Sequence, residues 1–174
     1  MPKFPLAGAL LALTLAPLAQ ADPVSIDGVG LTRDVPCQGQ DVAITGSGNH
    51  IRLTGTCGAV TVRGSDHQVS LEQSGALSVS GIQNQVTAGR VERLEVDAAK
   101  NRVQAALEGR TPNHARLEVS GADHNLELVF RGPTVVNLTG ADNQLRWSGS
   151  EPLMTVQGVD NRIEHQPLPS RQRR

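Results

Sequence analysis

The chain has 174 residues, with 16 basic and 17 acidic side chains and a formal net charge of −1. That balance argues against a nucleic-acid binder or a protein held to an anionic membrane surface, both of which need an excess of positive charge. Aromatic residues make up only 2% of the chain, with no Tyr, so the core is expected to be thin and regular rather than filled by bulky rings.

The N-terminus reads Met1-Pro2-Lys3, then an apolar run from Leu6 to Leu18, then Ala19-Gln20-Ala21 before Asp22. A short charged start, an apolar stretch too short for a bilayer and a small-x-small exit predict a signal peptide over residues 1–21. No cysteine follows the predicted cut, so a lipid anchor is not expected, and no later apolar stretch is long enough to span a membrane. The mature chain is therefore expected in the periplasm or outside the cell. Residues 22–166 are read as one repeat domain. Residues 167–174, with Pro167, Pro169, Arg171, Arg173 and Arg174, are read as a basic, disordered tail.

The repeat carries most of the information. A unit of apolar-x-apolar-x-Gly-x-x-Asn-x-apolar-x-apolar recurs seven times, beginning Val42, Ile44, Gly46, Asn49, Ile51, Leu53. The asparagine place is held in turn by Asn49, His67, Asn84, Asn101, His124, Asn143 and Asn161. All but one of the apolar places hold apolar residues, the exception being His165 in the last unit. Units follow at 17–19 residues, with one longer step of 23 between the fourth and fifth, where Ala98 replaces the corner glycine. A divergent earlier unit, with Val24, Ile26 and Gly28, has Leu31 in the asparagine place and Arg33 in an apolar place, as a capping coil would.

Alternation with period two means strands with one buried face. Each unit predicts two four-residue strands joined by a Gly-x-x-Asn corner, with glycine supplying positive φ and asparagine tolerating left-handed geometry. Two architectures keep the same residues inward. One is a parallel β-solenoid of about seven to eight coils spaced ~4.8 Å apart; the other is an antiparallel β meander or sandwich in which each corner is a hairpin loop. The near-constant period, the repeated corners and the aromatic-poor core favour the solenoid. In it the asparagines would stack as an amide ladder, with His67 and His124 admitted because a ring also carries a donor and an acceptor.

Cys37 and Cys57 are the only cysteines, 20 residues and about one repeat apart. Neighbouring coils would bring them close to one corner, so a structural disulfide closing the first coil is expected. Neither a CxxC spacing nor a basic neighbour supports a redox-active pair or a reactive Cys57. The run from Cys37 through Val42-Ala43-Ile44-Thr45-Gly46-Ser47-Gly48-Asn49 to Leu53-Thr54-Gly55-Thr56-Cys57 resembles bacterial exported proteins of the domain of unknown function family 3060. The likeness extends over roughly residues 37–165. It implies a secreted repeat domain without assigned activity and supplies no catalytic residues. The two histidines in the ladder, Ala98 and the long step depart from its pattern.

Glu95 and Glu118 fall on adjacent coils, a candidate acid–base pair for a polysaccharide-active enzyme. Glu127, Arg146 and Glu164 fall on consecutive coils and read as a charge ladder. Asp123, Asp142 and Asp160 stack before the asparagine column, where turn roles are favoured over calcium. His50 and His67, with Asp66, form at most a weak metal site. Phe130 lies outside the repeat frame and is read as the one aromatic open to the surface. The insertion around residues 107–114 is a loop where function often resides, and Arg110 and His114 are its candidate binding residues. The sequence thus predicts a non-catalytic structural or binding module facing an envelope protein or polysaccharide, with no cofactor. A polysaccharide-active β-helix enzyme is the alternative.

Overall fold

A computed structural model describes residues 22–167. The expected signal peptide, residues 1–21, and the tail after Pro167 lie outside the described residues. Thirteen strands follow one another: β1 Val24–Val29, β2 Thr32–Gln38, β3 Val42–Ser47, β4 His50–Ser65, β5 Gln68–Ile82, β6 Gln85–Ala99 and β7 Arg102–Glu108. After the insertion come β8 Ala115–Ala122, β9 Asn125–Arg131, β10 Thr134–Ala141, β11 Gln144–Gly149, β12 Leu153–Val159 and β13 Arg162–His165.

Every strand pair is parallel, and each residue faces its counterpart one repeat away. Ile44 pairs with Val62, Val62 with Val79, and Val79 with Val96. A hairpin meander would instead set Ile44 antiparallel to its own unit's second strand. The antiparallel alternative is therefore discarded, and the chain is a β-solenoid of about eight turns. Parallel pairing buries both ends of each unit's apolar pattern in one continuous core. Ile44, Val62, Val79, Val96 and Leu138 are essentially without solvent exposure.

Two expectations about the coil are corrected. The strands are not four-residue pieces: β4, β5 and β6 run 16, 15 and 15 residues. After the second apolar pair the backbone stays extended through a third side before starting the next coil. That third side has its own inward column, in which Cys57 pairs with Ser74, Ser74 with Val91, Val91 with Leu107, and Leu107 with Phe130. Phe130 is consequently buried, not open to the surface. The repeat pattern concealed this column because its occupants range from Ser to Phe.

The corners also differ from expectation. Glycine supplies the first positive φ, 112° at Gly46 and 129° at Gly64. A Cβ at Gly46 would run into the carbonyl oxygen of Gly28 on the preceding coil, so close stacking as well as φ demands glycine. The second left-handed residue is not the asparagine but the residue before it. Asp66, Gln83, Lys100, Asp123, Asp142 and Asp160 have φ between 55° and 61°. That assigns the three stacked aspartates to turn geometry and frees the asparagine to point inward.

The two ends are unlike. At the N-terminal end, Ile26 is buried and the Leu31 side chain lies over Gly28. At the C-terminal end, the inward-facing Val156 is 41% exposed, although its counterpart Leu138 one coil earlier is fully buried.

Candidate functional site

The asparagine column is built from the corners upward. The left-handed residue before it turns the side chain under the corner, where Asn49, His67, Asn84, Asn101, His124 and Asn143 are buried. The main partners are backbone groups rather than neighbouring amides. Asn84 Oδ1 accepts the backbone N–H of His67 at 3.1 Å, and its Nδ2 donates to the Gly64 and Ser80 carbonyls at 3.1 and 3.4 Å. Amide-to-amide bonds occur from Asn84 Nδ2 to Asn101 Oδ1 and from Asn143 Nδ2 to Asn161 Oδ1. Each side chain thus ties its own coil to the preceding one, and those of Asn84 and Asn143 also reach the following coil, satisfying groups that no water reaches.

The two histidines reproduce this with a ring. Nδ1 of His67 accepts from the Asn49 N–H at 3.3 Å, and Nδ1 of His124 accepts from the Asn101 N–H at 3.3 Å. The Nε2 atoms face the carbonyls of Arg63 and Ser120 at 3.1 and 3.0 Å. An accepting Nδ1 fixes the neutral tautomer with hydrogen on Nε2. Burial holds the His124 ring below the ordinary imidazole range, opposed by the Ser120 carbonyl and the charges of Asp97 and Asp123. Asp97 is itself held below the ordinary carboxylate range, first by the Ser120 hydroxyl at 2.7 Å and then by the Ala98 N–H.

Cys37 and Cys57 form a disulfide. It lies on the third side rather than at a Gly-x-x-Asn corner, because both side chains point into the inward column described above. His50 and His67 do not converge: His50 faces solvent while His67 is wholly inside and committed to backbone partners. Among the described residues no group of three or more His, Cys, Asp or Glu could hold a metal ion.

On the second side, Gln104, Glu127, Arg146 and Glu164 stand on successive rungs. Arg146 pairs with Glu127 at 3.5 Å, and Gln104 Nε2 donates to Glu127 at 2.9 Å. Glu164 pairs along its own strand with Arg162 at 2.6 Å instead of joining Arg146, so the expected three-residue ladder is two residues long. On the first side, Glu95 and Glu118 stand on adjacent rungs, directly beside Arg93 and Arg116, which are paired in the same register.

The insertion brings its candidates together. Residues 109–114 leave the sheet after β7 and return at β8, and the loop walls a groove of about 920 Å³. Arg110 and His114 both line it, joined by Arg93, Arg116, Glu92 and Glu108 from the coils beneath. Arg110 pairs with Glu108 at 3.1 Å. Arg93, Arg116 and Glu92 were not expected there. Glu92 ends the third side, and Arg93 and Arg116 open the first side of their coils, one residue before the apolar places of Leu94 and Leu117.

Residues 44–101 match the family described as Protein of unknown function (DUF3060). The likeness to DUF3060 covers 58 of the 174 residues. The matched stretch begins at Ile44 and ends at Asn101, so it takes in the first four ladder positions, Asn49, His67, Asn84 and Asn101. No curated protein and no solved structure matches the chain. The insertion loop falls after the DUF3060 segment, whereas Glu92 and Arg93 on the groove floor fall inside it.

Proposed function

We propose that this protein is an exported, non-catalytic binding module of the bacterial envelope, working in the periplasm or outside the cell, and that it holds its partner at the insertion groove. The carrying observation is the loop of residues 109–114, inserted at the longest step between repeat units, which sets Arg110 and His114 over a floor of Arg93, Arg116 and Glu92. Arginine forks beside a carboxylate suit a polar partner with both acceptors and donors. An envelope protein or a polysaccharide bearing charged groups has that chemistry. The rest of the solenoid acts as a rigid support, which is where a precise binding loop is best placed. Export is supported by the residues 1–21 pattern and by the Cys37–Cys57 disulfide, which persists in oxidising compartments.

The test is a pull-down with tagged residues 22–174 from gently cross-linked cell envelope, with proteins and glycans identified by mass spectrometry. A reproducible partner that is lost in the Arg110→Ala/His114→Ala variant is the expected result. A partner retained by that variant removes the groove from the reading. Polymer recovered in shortened form, with shortening abolished by Glu95→Gln or Glu118→Gln, replaces the binding module with a polysaccharide-active enzyme.

A further inference from the structure

The C-terminal coil carries a second surface, independent of the insertion groove. Among the described strands, β12 pairs only with β10, leaving its outer edge unpaired. Leu153, Val156 and Val159 on that one strand are 68%, 41% and 64% exposed. Together with Val29 and Ile82 they are all the large exposed apolar residues of the described chain. A hydrophobic strand edge of this kind templates pairing with another strand.

The order of residues along β12 indicates which strand. The segment Leu153-Met154-Thr155-Val156-Gln157-Gly158-Val159 matches itself when reversed about Val156. Antiparallel pairing of two copies centred there sets Leu153 opposite Val159, Met154 opposite Gly158, Thr155 opposite Gln157, and Val156 opposite Val156. Directly opposed residues of an antiparallel pair lie on one face of the sheet. Both strongly exposed residues, Leu153 and Val159, thereby gain an apolar neighbour, twice over by symmetry. Gly158 leaves room for the longer Met154 side chain. Thr155 and Gln157 make a polar pair on the outer face.

We propose that the mature protein forms a twofold dimer through the unpaired edge of β12, with a second copy of this chain as the partner. The N-terminal end makes the assembly closed rather than fibrous. There β1 and β2 also have a free edge, but Ile26 is already covered and Arg33 is exposed at an otherwise apolar place, so head-to-tail stacking meets a charged cap, whereas twofold pairing joins the two apolar β12 edges to each other.

The experiment is sedimentation velocity on residues 22–174 over a range of concentrations, with three variants at exposed positions that leave the core intact. The expected result is a reversible dimer for the unmodified chain. Leu153→Glu and Val159→Lys, made singly, each raise the dissociation constant by about tenfold or more, a factor that corresponds to losing one buried apolar contact. The double variant Leu153→Glu/Val159→Lys restores the dimer, because opposite charges then face one another across the pair. A chain that stays monomeric at about 1 mM overturns the proposal, as does open-ended growth with concentration. A dimer indifferent to all three variants also overturns it, and so does a dimer that appears only after residues 168–174 are deleted, since the tail would then cover the edge.

Discussion

Nδ1 of His124 accepts a hydrogen bond from the backbone N–H of Asn101 on the preceding coil, at 3.3 Å across 23 residues of sequence. The bond exists only for the neutral ring. Protonation turns the acceptor into a donor and sets N–H against N–H inside a corner that water does not reach. Since burial keeps the folded His124 below the ordinary imidazole range, the unfolded chain binds that proton more readily than the folded one. His124 thus contributes its full stability above an unfolded value of about 6.5 and loses it as the pH falls below that. Thermal melts should show a lower midpoint at pH 5 than at pH 7.5. In His124→Asn, where an amide does the same work without titrating, that difference should shrink. An equal pH dependence in variant and parent would remove His124 as its source.

Asn84 serves four residues at once, through its bonds to His67, Gly64, Ser80 and Asn101. Asn84→Ala leaves several of those groups buried and unpaired, at roughly 1–3 kcal/mol each, and should cost about 3 kcal/mol in total. Asn84→His, imitating His67 and His124, should cost less than half of that. Urea unfolding with an unchanged slope gives both values directly.

Both ladder histidines follow a glycine three residues earlier, Gly64 and Gly121, whereas Ala98 precedes an asparagine, Asn101. A Cβ at Gly64 would come within 2.9 Å of Nε2 of His67, so ring and methyl exclude one another. Asn101→His should therefore destabilise by about 2 kcal/mol, and in that background Ala98→Gly should recover nearly all of the loss, more than it gains on its own. Ala98→Gly alone should stabilise by about 1 kcal/mol, because Ala98 holds a φ of 75° that disfavours a side chain. Additive effects of the two changes would show that ring and methyl do not meet.

Ser74 is buried between Cys57 and Val91, and its hydroxyl has no hydrogen-bond partner. Ser74→Ala removes the unpaired group from an otherwise apolar column. We expect a gain of about 1 kcal/mol, read as a higher denaturation midpoint. A loss instead would show that the hydroxyl has a partner, such as a bound water.

The Cys37–Cys57 bridge closes the first coil across a separation of 20 residues. Replacing both cysteines by serine should cost about 3 kcal/mol. The loss should be concentrated at the N-terminal end, so hydrogen exchange should quicken in β1 and β2 before it does in β9–β11. Uniform acceleration along the chain would instead mean that the solenoid unfolds as a single unit.

The inward faces of the first two sides could be read before any coordinates, since strict alternation around Gly-x-x-Asn leaves one choice of face for each strand. The glycine requirement, the covered first coil and the cysteine partnership were legible for the same reason: each follows from spacing of about one repeat. The third side was not. Its inward column holds Cys57, Ser74, Val91, Leu107 and Phe130, whose sizes and polarities share no pattern, and only stacking shows that they lie in line. The groove beneath Arg110 and His114 forms where the third side of one coil meets the first side of the next, so Arg93 and Arg116 had no local signal to mark them.

The direction of pairing likewise had to come from the assembled coils, because parallel and hairpin arrangements bury the same residues and differ only in which backbone groups meet. Alternation along a strand decides which side chains go inside. Where the chain returns after each turn depends on contacts 17–23 residues apart, and these decide what surface the exposed side chains jointly form.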